Sequence, residues 1–176
     1  MRKSFVLAAT FCLLLMAFSV SAATKYAGDW KLDLSKSEMG QRSRIESMTM
    51  NVTQTDTELT YKRTVKLAEG DGGQGGGRRR GLGGNAGSVT YDLTGKETSA
   101  EIGGGRFTGK ATYKAETKDG KLVLTTTRTF ETPNGTRNIK TVETWSLSED
   151  GKTLTIASER DTPRGSSSSK MVFTKT

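Results

Sequence analysis

The chain carries no histidine, and its one cysteine, Cys12, sits inside an apolar run near the N-terminus. The usual general base, the thiol nucleophile and the nitrogen and sulfur metal ligands are therefore missing from the rest of the protein. A carboxylate pair can catalyse glycoside chemistry, but only Glu143 falls firmly on an inward-facing position. No Ser–Lys pair has supporting context, and the acidic residues lack calcium-loop spacing. What remains is a set suited to holding an anion: Arg128, Arg160 and Arg63 with Glu143, Tyr113 and Thr141. Guanidinium groups form charge-assisted, often bidentate, hydrogen bonds to carboxylates and phosphates. The residue types point to binding without catalysis, cofactor or metal.

The stretch 106–161 must position these side chains. Four runs rich in Thr, Val, Leu and aromatics are separated by Asp119-Gly120, Asn134-Gly135 and Asp150-Gly151. Such pairs accept the positive φ of tight hairpin turns, so the stretch reads as an antiparallel meander. Two-residue loops at these pairs place Tyr113 opposite Thr126, Arg128 opposite Thr141 and Trp145 opposite Ile156. Side chains alternate faces along a strand, which puts Leu122, Leu147 and Leu154 in one inward row and Leu124, Trp145 and Ile156 in the next. A one-residue slip would turn every one of them outward. The row after Tyr113, Thr126, Glu143 and Ser158 then holds Arg128, Thr141 and Arg160. Burying unpaired guanidinium is costly, so this cluster is internally paired through Arg128 and Glu143, wet, or completed by an anionic ligand, with Arg63 joining from an earlier strand.

The preceding segments are strands too. Trp30, Leu32 and Leu34 alternate with Lys31 and Asp33; 44–55, 58–68, 88–93 and 97–102 alternate in the same way, and 103–105 is a glycine turn. A polar loop over 162–169 precedes a last strand at 170–176. About ten short strands without a convincing helix predict an all-β fold. Meander order favours a single antiparallel up-and-down barrel of about 8–10 strands, because closure removes exposed edges. Trp30, Trp145, Leu124 and Ile156 are its expected core.

Residues 1–23 combine Arg2 and Lys3, an apolar run and the small-residue end Ser21-Ala22-Ala23, the pattern of a Sec signal peptide. The expected mature domain, 24–176, is a soluble periplasmic or secreted protein without disulfides. The whole chain has a formal net charge of +8, which favours anionic partners; export argues against nucleic acid. Residues 70–87 are more than half glycine and contain Arg78-Arg79-Arg80. This segment reads as a solvated loop joining two strands, with weak anion-binding potential in its arginines.

Gly28-Asp29-Trp30, opening the first strand of such a meander, resembles the G-x-W signature of the calycin superfamily, which includes the lipocalins and fatty-acid-binding proteins. Gly28-Asp29-Trp30-Lys31-Leu32 is close to the fatty-acid-binding form, and the chain looks like small secreted bacterial lipocalin-like domains. The resemblance implies a barrel that holds a hydrophobic or amphipathic ligand. It also implies a cation over the motif tryptophan, for which Arg160 and Lys170 are the candidates. The segment 35–42 has no room for the two-helix lid of the fatty-acid-binding branch. The function expected from sequence is an exported binding protein for a small hydrophobic or amphipathic anionic ligand. The alternative is an envelope interaction module with a filled barrel, working through its basic surface and the Gly/Arg loop.

Overall fold

The computed structural model describes residues 26–40, 43–68, 87–104, 107–132 and 135–176. The expected signal peptide and nearly all of the Gly/Arg segment, including Arg78, Arg79 and Arg80, lie outside them. The fold is all-β. Ten strands, β1 (Gly28–Leu32), β2 (Ile45–Gln54), β3 (Glu58–Leu67), β4 (Val89–Asp92), β5 (Thr98–Gly104), β6 (Phe107–Lys118), β7 (Lys121–Thr132), β8 (Gly135–Leu147), β9 (Thr153–Thr162) and β10 (Gly165–Lys175), follow one another in sequence. They form one antiparallel sheet in the order β4-β3-β2-β1-β10-β9-β8-β7-β6-β5. Each strand pairs with its neighbour in sequence except β4 with β5; β1 and β10 close the ring on the other side. Across the remaining seam, the Tyr91 hydroxyl lies 2.6 Å from Thr126 Oγ1 and the Tyr91 ring packs edge-on to Tyr113 at 5.6 Å. The result is a nearly closed up-and-down barrel.

The turns explain the register. Asp119 and Gly120 both have positive φ, 51° and 72°, so their hairpin is a two-residue primed turn and Lys118 pairs with Lys121 as expected. Trp145 lies opposite Ile156, also as expected. The β7–β8 hairpin differs: Thr132 pairs with Gly135, so Arg128 faces Ile139 and Thr141 faces Thr126. The expected turn at Asn134-Gly135 would have made Pro133 a ladder residue, and proline has no N–H to donate there. Closing the hairpin at Thr132 and Gly135 instead shifts the pairing by two residues. Because the shift is even, the same side chains still point inward, but the rows change. Leu122, Trp145 and Ile156 now align, Leu124 lies beside Glu143 and Ser158, and Leu147 pairs with Leu154.

Two other boundaries depart from the sequence expectation. β5 continues through Gly103 and Gly104 instead of turning there. β10 begins at Gly165, and Ser166 to Ser169, expected in a loop, pair with β9 residues from Asp161 to Ser158. Their side chains carry no apolar signal, so the strand was invisible to hydrophobic alternation. Between β1 and β2, a 3-10 turn at Leu34–Lys36 and a bridge from Glu38 to Lys170 lie over β10 and cover Val172.

The lower half of the barrel, bounded by the 119–120 and 150–152 turns, is a packed core. Leu59, Leu124, Trp145, Leu154, Ile156 and Phe173 are 0% exposed, and Trp30 and Met50 are 1% exposed. These side chains come from β1, β2, β3, β7, β8, β9 and β10 and belong to one cluster that spans the section of the barrel. Residues lining a void large enough for water would retain accessible surface, so this half is filled. Each fully buried large aliphatic side chain contributes about 1.5–3 kcal/mol.

Candidate functional site

Above the packed base, the interior turns polar. The first polar layer is an ion pair across the barrel. Arg63, on β3, donates from Nη1 to Glu143 Oε1 and from Nη2 to Glu143 Oε2, each at 2.9 Å. Trp145 Nε1 donates to Glu143 Oε2 at 3.0 Å. Arg63 also stacks over the Tyr61 ring, with its guanidinium carbon 4.7 Å from the ring centroid. The expected Arg128–Glu143 pair is thus replaced by Arg63–Glu143. The two-residue shift raises Arg128 from one inward row above Glu143 to two, while the alternation of β3 aims Arg63 straight across.

Burial pushes the Glu143 carboxyl up, but the Arg63 charge and hydrogen bonds, the Trp145 N–H and the more distant Arg128 outweigh it and hold it below the ordinary carboxylate range. A carboxyl depressed in the folded state adds stability that is complete above its unfolded pKa and is lost as pH falls through the folded one. Thermal midpoints should therefore hold from about pH 8 to about pH 5 and fall below about pH 4. In the Arg63→Met/Glu143→Leu protein this acid fall should be shallower, measured by circular dichroism at several pH values. An unchanged acid limb would mean that the pair carries none of it.

The second layer holds the uncompensated charge. Thr126, Thr141, Arg160 and Ser167 lie side by side on β7, β8, β9 and β10, and Arg128 stands one inward position further up β7. Ser158 and Ser169, opposite one another, are half-buried just below Arg160. Neither arginine takes part in an ion pair among the described residues. Arg160 Nε is buried and has no hydrogen-bond partner. Burial lowers the Arg160 pKa first, and the charge of Arg128 adds to that, which marks the two cations as electrostatic neighbours.

Of the residues singled out from sequence, Arg128, Thr141 and Arg160 therefore come together, and Tyr113 is half-buried on the same level of β6. Glu143 and Arg63 neutralise each other beneath them. The tyrosines Tyr61 and Tyr91 were missed as part of this interior, although their alternation with Thr60, Lys62 and Thr90 was legible. They stack with centroids 6.1 Å apart, and Tyr61 also meets Trp145 at 5.3 Å. Apolar side chains flank this layer: Ile45, Val65 and Ile102 on β2, β3 and β5, and Phe130 and Ile139 next to Arg128 on β7 and β8, are half-buried, and Leu67 is 47% exposed at the rim.

At the other end of the barrel, Trp30 Nε1 donates to the Tyr26 carbonyl at 3.0 Å. The cation over its ring is Lys175, with Nζ 5.4 Å from the centroid, not Arg160 or Lys170. Lys175 pairs directly with Trp30 across β1 and β10, whereas Lys170 is engaged with Glu38 at 2.7 Å. Gly28 suits its position because its φ is 141°, a backbone conformation that side chains strain, and a Cβ there would also displace the end of Lys175. Among the described residues, no group of three or more His, Cys, Asp and Glu side chains is arranged to hold a metal ion.

No protein-family model matches the chain, and no curated protein sequence matches it. Among solved structures, it is similar to zebrafish ileal bile acid-binding protein complexed with cholic acid, at 16% identity and a TM-score of 0.49. The match covers 86% of this chain and 98% of that one.

Proposed function

We propose that this chain is a non-catalytic binding protein that holds a small amphipathic anionic ligand in the upper half of its barrel. The ligand's charged end meets Arg128 and Arg160, and its apolar part lies against Ile139 and Phe130 beside Arg128 and against Val65 on β3. The observation that carries the proposal is Arg160: a guanidinium with a buried, unpartnered Nε beside a second unpaired guanidinium. A buried polar atom without a partner costs about 1–3 kcal/mol, and an anion filling the space between the arginines would remove that cost. Because the base is packed, the ligand sits high in the barrel instead of deep within it. The leader-like residues 1–23 support export, so the ligand would be met outside the cytoplasm.

Native mass spectrometry of the protein purified without detergent tests this. The expected result is a reproducible adduct, or one formed on incubation with a lipid extract, that is lost from Arg128→Met and Arg160→Met proteins. A bare protein mass under every condition would sink the proposal. That outcome would favour the second reading, to which the filled base also lends weight: a barrel whose work is done by its basic exterior. That reading expects salt-sensitive binding to polyanions.

A further inference from the structure

The ligand reading leaves the head group open, and the interior charges narrow it. Below the rim, where Arg137 is exposed, three interior cations, Arg63, Arg128 and Arg160, face one anion, Glu143. Arg63 and Glu143 are joined by two hydrogen bonds and cancel. Two positive charges remain, on side chains close enough for each to be felt by the other. A monocarboxylate would cancel one of these charges and leave the other uncompensated. The surroundings are also rich in hydroxyls: Thr141 stands between Thr126 and Arg160, Ser167 lies opposite Arg160, and Ser158 faces Ser169. Hydroxyls are flexible donors that suit a group with several acceptor oxygens. Arg128 and Arg160 flank β8, Arg160 level with Thr141 and Arg128 one inward position further up, level with Ile139.

We infer that the head group bound between Arg128 and Arg160 is a dianion of the phosphate-monoester type, bridged by both guanidiniums and bonded by the hydroxyls of Thr141 and its neighbours. This rests on the ligand-binding reading above and specifies the chemistry of the same site.

The pH dependence of binding isolates the claim, because a phosphate monoester takes up its second proton near pH 6, where histidine is the side chain that ordinarily titrates. The chain has no histidine. The groups facing the site are Arg63 and Tyr61 on β3, Tyr91 on β4, Tyr113 on β6, Arg128 on β7 and Glu143 on β8, with Arg137 nearer the rim. Glu143 is held below the ordinary carboxylate range and stays ionised. Burial raises Tyr61 and Tyr91, which stay neutral.

The experiment is calorimetric titration of the purified protein with decyl phosphate, decyl sulfate, decanol and inorganic phosphate, at pH 8.0 and pH 5.5. Decyl sulfate is tetrahedral and carries one charge at both values, so it separates charge from shape. The expected result at pH 8.0 is decyl phosphate binding at least about 10-fold tighter than decyl sulfate. That preference should shrink at pH 5.5 and be lost in Arg128→Gln and in Arg160→Gln. Inorganic phosphate binding as tightly as decyl phosphate would support the dianion site and assign it to free phosphate instead of a lipid head group. Decyl sulfate binding as well as decyl phosphate at pH 8.0 would overturn the inference while leaving an amphiphile-binding barrel in place. Binding by none of the four would overturn both. The wild-type comparison across pH decides the matter even if a variant folds poorly.

Discussion

Replacing Glu143 with Ala should destabilise the protein by about 3 kcal/mol, the lower part of the range for breaking a buried ion pair. For a domain of this size that is roughly 10 °C in thermal midpoint. The loss comes from what is left behind: Arg63 would keep its charge with both Nη donors unmatched, and Trp145 Nε1 would lose its acceptor. The Arg63 side chain is 18% exposed and that of Glu143 is 9% exposed. Some water therefore reaches Arg63, which places the cost low in the range. Arg63→Met/Glu143→Leu should lie within about 1 kcal/mol of the parent, because the pair's Coulomb gain mostly repays its own desolvation. Urea unfolding followed by tryptophan fluorescence compares the proteins directly. A Glu143→Ala loss below about 1 kcal/mol would mean that water solvates Arg63 as well as Glu143 does. A double variant as unstable as the single one would show that the pair contributes net stability of its own.

Much of the barrel was legible because its turns and its alternation agree. Asp119-Gly120 declares a primed turn, and the lower rows repeat an apolar inward face that only one register parity satisfies. The β7–β8 hairpin shows where such reasoning ends. Pro133, Asn134 and Gly135 offer two overlapping turn pairs, both of which preserve the inward face, so hydrophobic pattern cannot choose between them. The missing N–H of Pro133 argues against one of them, and that one step decides whether Thr126 or Leu124 stands opposite Glu143. The strand at Ser166 to Ser169 was hidden for a different reason, since backbone pairing holds it with no apolar side chain to announce it. Convergence of Arg128, Thr141 and Arg160 was readable within the meander, where short hairpins carry the register from strand to strand. The partner of Glu143 was not, because Arg63 arrives from across the barrel, and closure is a property of the whole sheet that no local turn encodes.

Trp145→Ala should cost about 3–5 kcal/mol, and its consequences test whether the base of the barrel is filled. Trp145 is 0% exposed, meets Tyr26 edge-on at 5.8 Å and Tyr61 at 5.3 Å, and donates to Glu143. Tyr26 is itself fixed by its hydroxyl, which donates to the Trp145 carbonyl and accepts from the Leu122 N–H. Close packing on every side leaves no room for the surroundings to collapse cheaply, which favours the upper part of the range. The void left behind has the shape of an indole, with apolar walls and the Glu143 carboxylate at one point. Added indole should therefore raise the thermal midpoint of Trp145→Ala in proportion to its occupancy and leave the parent protein unchanged. Indene, which has the same shape but no N–H, should be poorer by about 1–3 kcal/mol, since it leaves that carboxylate oxygen short of a donor. Suppose instead that Trp145→Ala costs under about 1 kcal/mol and the parent itself is stabilised by indole. Trp145 would then line a pre-existing hollow, and the ligand would belong at the base of the barrel and not beside Arg128 and Arg160.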